Sequence, residues 1–546
     1  MMASLLVSRL LGLLRDTVMA AKFGIQFDTD SYRLAVTIPD TIFFLIAGGG
    51  LSSAFIPVFS EYLHKDDEDG AWRVFSVVTT LSALMVSALI IVAWIFAPNI
   101  AMFMAAGKTH TLASGMKVPL SAHDIDQIVL MSRIMLPAQF AFMVGSVLLA
   151  TLYARRRFVA PGVAPNIYNV GIIIGAMVGP TLGIGIAGMS WGALIGAAIG
   201  NLVLPIFVMW RLGGRFKPSV DLKTPGVNKF FKLLLPVILG FSLPSVAALI
   251  TQKFASQYGE GVNTVMTLSN NLMQAPLGIF GQSLALAAFP VLAQFYAIGA
   301  MDKYRFQISR TLRTVIFLAV PSSLILFALA PEVVQVIYGY GKAATGGQKV
   351  PVWMGPDMPF ELARVVVALR WFTVGIVAWC VQPVLMRGFF SVHQTLRPVV
   401  IGTIMTGLFI AMCWGMTGSG LGYTALPIAT NIAAILLAIF LYFALEKQID
   451  GKLDRSGMVV TFLKSCVAAV VMAGVGWAIF RVLSHDIRKV LLVAEFLVVC
   501  TACAWVYYYI SRLLKMPETE YLDRALKRMD RRKRPISQIE TTDEAG

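Results

Sequence analysis

The amino-acid sequence predicts an all-α polytopic membrane protein of about fourteen transmembrane helices. They are expected as two parallel six-helix repeats, V-shaped lobes, plus two further C-terminal helices. Three observations carry that prediction. Of 546 residues, 57% are hydrophobic and only 14% charged, with a mean hydropathy of +0.75. Too little polar side chain remains to coat a soluble body of this length. Apolar windows of about 20 residues, long enough to cross a bilayer, recur along the whole chain. Finally, GGGLSSAFIPVFSEYL at 48–63 returns as GQSLALAAFPVLAQFY at 281–296.

The first span, 3–23, carries Arg9, Arg15 and Asp16 in its middle. A charge at bilayer depth costs roughly 2.5–3.5 kcal/mol on insertion scales, so it survives beside a partner, a substrate or water. Arg9 and Asp16 lie about two helical turns apart and share a face, with Arg15 about 100° round from it. Two readings follow. Either these groups wall an anion-binding cavity, or Arg15 and Asp16 neutralise structural partners while Arg9 snorkels to the interface.

The remaining spans are expected near 31–60, 73–105, 126–153, 161–182, 186–211, 227–256, 262–296, 306–338, 361–388, 396–417, 421–445, 457–482 and 488–513. Several hold Pro39, Gly48 to Gly50, Pro244 or Pro276 inside them. Bent or broken helices of this kind are tolerated where backbone lines a cavity. Lys253, near the end of span seven, either adds a cavity charge or snorkels outward. Arg133 and Arg370 are further intramembrane candidates, Glu361 and Arg364 are spaced for a local ion pair, and Lys464 is expected to snorkel inward.

Short loops bearing Arg155 to Arg157, Arg211 to Lys223, Lys303 with Arg305, and Lys447 to Arg455 place those loops and both termini in the cytoplasm. Lys108, Lys117, Lys342, Lys349, Arg488 and Lys489 run against that bias. The tail from Arg524 to Arg534 is strongly basic, suited to anionic lipid or to a docking partner. No cleavable signal peptide is expected, because charge interrupts the first apolar segment.

The repeat organises the rest. Gly48 aligns with Gly281, Leu51 with Leu284, Pro57 with Pro290 and Val58 with Val291. The same offset matches Ala97-Pro98 to Ala330-Pro331, and a slightly larger one matches Pro161 to Pro398. An even number of spans per repeat makes the halves parallel, with substrate between them. The expected division is an N-terminal lobe at 1–212, a cytoplasmic linker at 213–226, a C-terminal lobe at 227–446, two extra helices at 447–515 and a basic tail at 516–546.

The net charge of +16 sits in loops and tail, pointing to anionic headgroups rather than to nucleic acid. The five cysteines fall in apolar spans without metal-ligand spacing, and the five histidines do not converge, so neither a metal site, a disulfide framework nor an enzyme is expected.

SRLLGLLRD at 8–16, the acidic turn at Asp28 and Asp30, and IP…AFIPVFSEY at 38–62 resemble the opening of the MurJ/MviN family. RFVAPGVAPNIYN at 157–169, NNLMQAPLGIFG at 270–281, YGYGK at 338–342 and RGFFSVHQTLRPV at 387–399 extend the similarity along the chain. The resemblance implies a bacterial inner-membrane member of the multidrug/oligosaccharidyl-lipid/polysaccharide exporter superfamily. It further implies flipping of lipid II, the undecaprenyl-pyrophosphate-linked peptidoglycan precursor, in cell-wall biogenesis and cell shape. The last two spans are then a hydrophobic groove for the lipid tail. It implies Arg9, Arg15, Asp16 and Asp30 as cavity residues, and Asn169, Lys253, Asn270, Asn271 and Gln274 are the further cavity candidates in this sequence. Arginine suits the role, since its planar fork matches two phosphate oxygens.

The sequence also departs from that family. Phe43 and Phe44 stand where many members carry a basic pair, and Gly48 where they carry a glutamate. Asn270-Asn271-Leu272 replaces an Asp-Arg-Leu, and Gln274 a second acid. Other expectations therefore stay open: export of another polysaccharide repeat unit, cation-coupled antiport of a small molecule, or a non-transporting scaffold. No cofactor is expected, and a coupling ion is not legible. Membrane lipids and cell-wall synthesis proteins are the further expected partners.

Overall fold

The computed structural model describes residues 2–46, 50–105, 109–111, 117–232, 234, 250–346, 348–394, 396–416, 418–483, 489–520 and 523. Among them, strand is confined to two short antiparallel pairs, Thr109–Thr111 with Lys117–Pro119 and Lys349–Val350 with Met358–Pro359. Everything else of regular structure is helical.

The first half runs through α1 (Met2–Phe23), α2 (Phe27–Ile46), α3 (Gly50–His64), α4 (Glu68–Ala105), α5 (Ala122–Met135), α6 (Ala138–Ala154), α7 (Val159–Val178), α8 (Ala187–Ala197) and α9 (Leu204–Arg211). The second half contains α10 (Val262–Pro276), α11 (Ser283–Ala297), α12 (Met301–Ala328), α13 (Ala330–Tyr338), α14 (Gly341–Thr345), α15 (Phe360–Thr373), α16 (Ile376–Ser391), α17 (Leu396–Met416) and α18 (Ala425–Gln448). Two last helices, α19 (Arg455–Leu483) and α20 (Lys489–Leu513), follow.

Among the described residues, 10 helices are long and apolar enough to cross a membrane, or 11 when the pair α15 and α16, bent by 48°, counts as one span. The protein is thus a multi-pass membrane protein. Helices α1 and α2 are long enough but too charged to qualify, and residues 235–249 of the expected seventh span lie outside the described residues. The expected fourteen is consistent with that inventory. Breaks fall where backbone hydrogen bonding is interrupted. Pro137 separates α5 from α6, and Leu329 separates α12 from α13. Phe43, Phe44 and Gly48 have side chains or backbone outside the described residues, as do Pro244 and the basic tail from Arg524.

The repeat is visible in part. Pro57 and Pro290 both lie inside helices, α3 and α11. Pro98, by contrast, is internal to the unbroken α4, whereas Pro331 sits in the first turn of α13. At that position the aligned prolines do different jobs, one tolerated within a long helix and one starting a new one.

The buried apolar clusters divide between the sequence halves. One joins residues from Ala255 to Met516, and two others hold residues from Met19 to Leu234. The exception is α1, whose Ala20 and Ile25, just past its end, enter the cluster of the second half. Gly341, at φ +54°, packs so closely on this stretch that a Cβ there would come within 2.9 Å of the Ala21 carbonyl carbon. The YGYGK motif therefore seats the second half on the opening helix.

Helices α7 and α8 meet through glycine. Gly171, Gly175 and Gly179 face Gly188, Gly192 and Gly196, so that backbone touches backbone without side chains between. A Cβ at Gly188 would lie 2.5 Å from the Gly175 oxygen and 2.6 Å from the Gly179 Cα. Replacing Gly188 by leucine should therefore force the helices apart at a cost of about 1–3 kcal/mol or more. A thermal-unfolding midpoint several degrees below wild type is the expected result, and an unchanged midpoint would show that the pair is not closely packed.

Candidate functional site: a charged joint between the two halves

Asp16 lies on α1 at mid-helix and is 1% exposed. A carboxylate this deep needs donors, and the surrounding elements supply them. Arg15 approaches Oδ1 at 3.1 Å from the same helix, and Arg33 reaches the same oxygen at 2.8 Å from α2. Asn271 Nδ2 donates to Oδ2 at 2.5 Å from α10, in the second half. Arg15 also donates to Asn169 Oδ1 on α7 at 3.3 Å. The Asn169 amide is turned that way because its Nδ2 donates to the Pro165 carbonyl at 3.1 Å. One acid thus ties two arginines and two helices of the first half to the second.

Further links cross the same boundary. Arg9 Nη2 donates to Gln282 Oε1 at 2.9 Å, and its guanidinium lies against Gly278, where any side chain would collide. Both partners belong to the π-helical stretch Leu277–Gln282 that follows α10. Thr37 donates to the Gln252 carboxamide oxygen. Asp30 accepts from the Thr264 backbone N–H at 2.9 Å and its hydroxyl at 2.8 Å, a helix-start position that favours a carboxylate. The Phe27 N–H donates to Glu260 at 2.9 Å, while Arg364 holds the Glu260 carbonyl at 2.8 Å and pairs with Glu361 at 2.9 Å. The local pair expected from the Glu361 and Arg364 spacing is present.

Beside this joint, within the second half, lies a pocket of about 510 Å³ whose lining includes Gln252, Asn263, Asn270, Gln274, Phe372 and Trp379. Asn270 and Gln274 face this space, while Asn271, one residue along, faces Asp16. The expected cavity residues therefore fall in two groups. Arg15, Asp16, Asn169 and Asn271 come together, with Arg9 half a span away on Gln282. Asn270 and Gln274 belong to the neighbouring pocket.

Two expected residues stand elsewhere. Lys253 does not line that pocket: its ammonium sits over the Phe103 ring, 3.2 Å from the centroid, a cation–π seat between the halves. Asp30 is consumed by Thr264 and closes the end of the interface. Arg133 and Arg370 bond backbone carbonyls, at Trp94 and Phe327, and lie over neighbouring rings. Lys464 donates to the Leu514 carbonyl at 2.8 Å, tying α19 to the end of α20.

The main residue that sequence reasoning missed is Arg33. It is as buried as its partner requires, 8% exposed, and its Nε has no partner among the described residues. The rule that singled out Arg9 and Arg15 applies to it equally, but a span drawn from residue 31 places it near the membrane interface, where a charge needs no explanation.

The architecture is shared with transporters of known structure. A structure titled lipid II flippase MurJ, inward closed conformation, aligns with a TM-score of 0.74 at 19% identity, over 94% of this chain and 98% of that one. An inward-facing multidrug MATE transporter of the MOP superfamily aligns at 0.65 and 15%, over 81% and 94%. The fold is therefore the one these two structures share.

Within it, the family model described as lipid II flippase MurJ matches residues 19–498, and the chain belongs to that family. Among its relatives are lipid II flippase MurJ of Burkholderia cenocepacia, 26% identical over 86% of this chain and 87% of the relative. A probable lipid II flippase MurJ of Thermotoga maritima is 24% identical over 94% and 95%.

The joint predicts an asymmetry in stability. Asp16→Ala leaves buried guanidinium groups uncompensated and should cost about 3 kcal/mol or more. Asp302→Ala, which removes an acid whose side chain is 99% exposed beside Arg305, should change stability by less than about 0.5 kcal/mol. Thermal unfolding of the purified variants checks this, and equal losses would contradict the assignment of the joint.

Proposed function

We propose that this protein moves lipid II from the inner to the outer leaflet of the cytoplasmic membrane by alternating access. The observation that carries the reading is the pair Arg15 and Arg33, held by one shared, buried carboxylate where the halves meet. A diphosphate is a chemical competitor for that carboxylate, since either offers oxygens to the same guanidinium forks. The first to be met is Arg15, whose side chain is 22% exposed against 1% for Asp16.

In this reading the basic loops and both termini face the cytoplasm. Arg155 with Glu68 and Arg215 with Asp69 then mark the cytoplasmic end, and Phe27, Asp30, Glu260 and Thr264 the outer end. The bonds at that outer end hold the halves closed toward the outside. A headgroup arriving from within exchanges Asp16 for phosphate, weakens the hold on Asn271 and shifts the balance toward opening outward. Binding can do this only because the two states differ in affinity for the headgroup. Outward movement of negative charge is also favoured by a potential negative inside, worth about 2.3 kcal/mol per charge per 100 mV across the full field. Helices α19 and α20 would carry the polyprenyl tail alongside.

Arg15→Ala is expected to abolish rescue of a bacterium depleted of its lipid II flippase while the protein still accumulates in the membrane. Full rescue would remove Arg15 from the mechanism. A cysteine pair replacing Thr37 and Gln252 should, once cross-linked, stop appearance of lipid II headgroups on the outer side, with recovery on reduction. Undiminished translocation by the cross-linked protein would rule out separation of the halves there.

A further inference from the structure

One acid of the first half takes no part in the joint. Asp40 follows Pro39 in α2, is half-buried, and makes neither a hydrogen bond nor an ion pair among the described residues. Its neighbours in kind are engaged: Asp16 holds two arginines and an asparagine, and Asp30 holds the start of α10. A carboxylate without a donor in an apolar helix is costly, so its presence calls for a role.

The helix places it. Arg33, Thr37 and Asp40 lie within about 60° of one another around α2. Arg33 meets Asp16, and Thr37 meets Gln252 of the second half. The face they share is thus turned to the seam, with Asp40 about one turn past the Thr37 contact and away from Asp30 at the outer end. In the orientation proposed above, that is the side from which a headgroup arrives.

The charges around it are few. Arg15 of α1 is the charged group whose field reaches the Asp40 carboxylate, and Tyr32 of α2 and Tyr168 of α7 stand near both. Asp16 and Arg33 are paired with each other. Helices α4, α5, α6 and α10, which also pack on α2, bring no further charge to Asp40 among the described residues.

Arg15 is therefore what makes an ionised Asp40 tolerable. A diphosphate that engages Arg15 withdraws this compensation and adds negative charge beside the carboxylate. Like charges brought together favour the neutral form of the weaker acid. A proton from water meets that need with no further ligand. A hard metal cation would want several oxygen ligands, and among the described residues no group of three or more His, Cys, Asp or Glu is placed to hold one.

We propose that Asp40 is a proton-binding site linked to the headgroup: a diphosphate binds at Arg15 together with one proton on the Asp40 carboxylate, and that proton returns to water when the diphosphate leaves. The inference rests on the reading of the joint as the diphosphate site. The linkage has a definite sign. In the free protein Arg15 favours the carboxylate, and in the complex the phosphates favour the acid, so affinity falls as pH rises through the window between the two.

The test is isothermal titration calorimetry of farnesyl pyrophosphate into the purified full-length protein in lipid nanodiscs. Titrations in two buffers of different ionisation enthalpy count the protons taken up. At about pH 7, wild type should take up about one proton per ligand more than Asp40→Asn, in which the ligand's own titration remains as the baseline. Between about pH 6 and pH 8, wild-type affinity should fall by up to about tenfold per pH unit beyond any change in Asp40→Asn. Asp40→Glu, which restores a carboxyl group, should restore most of the difference. Asp40→Asn breaks no bond and should unfold at the wild-type temperature. Equal proton counts in wild type and Asp40→Asn, superposable pH profiles, or no binding of the pyrophosphate to wild type would each overturn the inference. Lipid II translocation on the same preparation separates the two readings. Translocation with equal proton counts would refute this inference and leave the flippase reading standing, and linked proton uptake without translocation would do the reverse.

Discussion

The arrangement depends on one carboxylate shared among donors from three helices. Asp16 is buried at the depth where the halves touch, and its oxygens are taken by Arg15, Arg33 and Asn271. A buried ion pair gains little over an apolar contact of the same size, but losing one member is expensive because the other charge stays behind. That imbalance suits a switch better than a brace. The cluster is stable while complete and costly when incomplete, and in the proposed mechanism the acid gives way to another anion. An all-apolar joint would hold the halves as firmly and offer a substrate nothing to displace.

The remaining inter-half bonds are ordinary in strength, each worth roughly 1 kcal/mol net. Thr37 with Gln252, Phe27 with Glu260, and Thr264 with Asp30 fix where the closed end lies without making closure irreversible. Helix α1 belongs to both sides, with its charges directed to the joint and its last turn packed into the second half through Ala20 and Gly341. Any separation of the halves must therefore either carry this helix with one of them or bend it. The charged joint and the uncharged pocket meet on α10, where Asn271 faces one and Asn270 the other.

Much of this was legible in the chain. Bilayer length fixed the helices, and the rule that charge at membrane depth needs a partner singled out Arg9, Arg15 and Asp16 before any geometry was known. Helical spacing foresaw that Glu361 pairs with Arg364. The partners were harder. Arg33 hides near an expected interface, and Asn271 is told apart from Asn270 only by the rotation of α10. Lys253 shows the limit of the same rule: a lone intramembrane lysine found its compensation in the face of Phe103, which no spacing reveals.

If Asp16 and a diphosphate compete for the same guanidinium groups, removing the acid's charge while keeping its shape should strengthen the competitor. The direct measurement is the affinity of purified wild-type and Asp16→Asn proteins for undecaprenyl pyrophosphate, by native mass spectrometry at matched lipid concentrations. The account predicts that the variant binds about tenfold more tightly, the worth of one charge-assisted hydrogen bond released to the ligand. Equal or weaker binding by Asp16→Asn would mean that the arginines at the joint are structural and that the phosphates are held elsewhere.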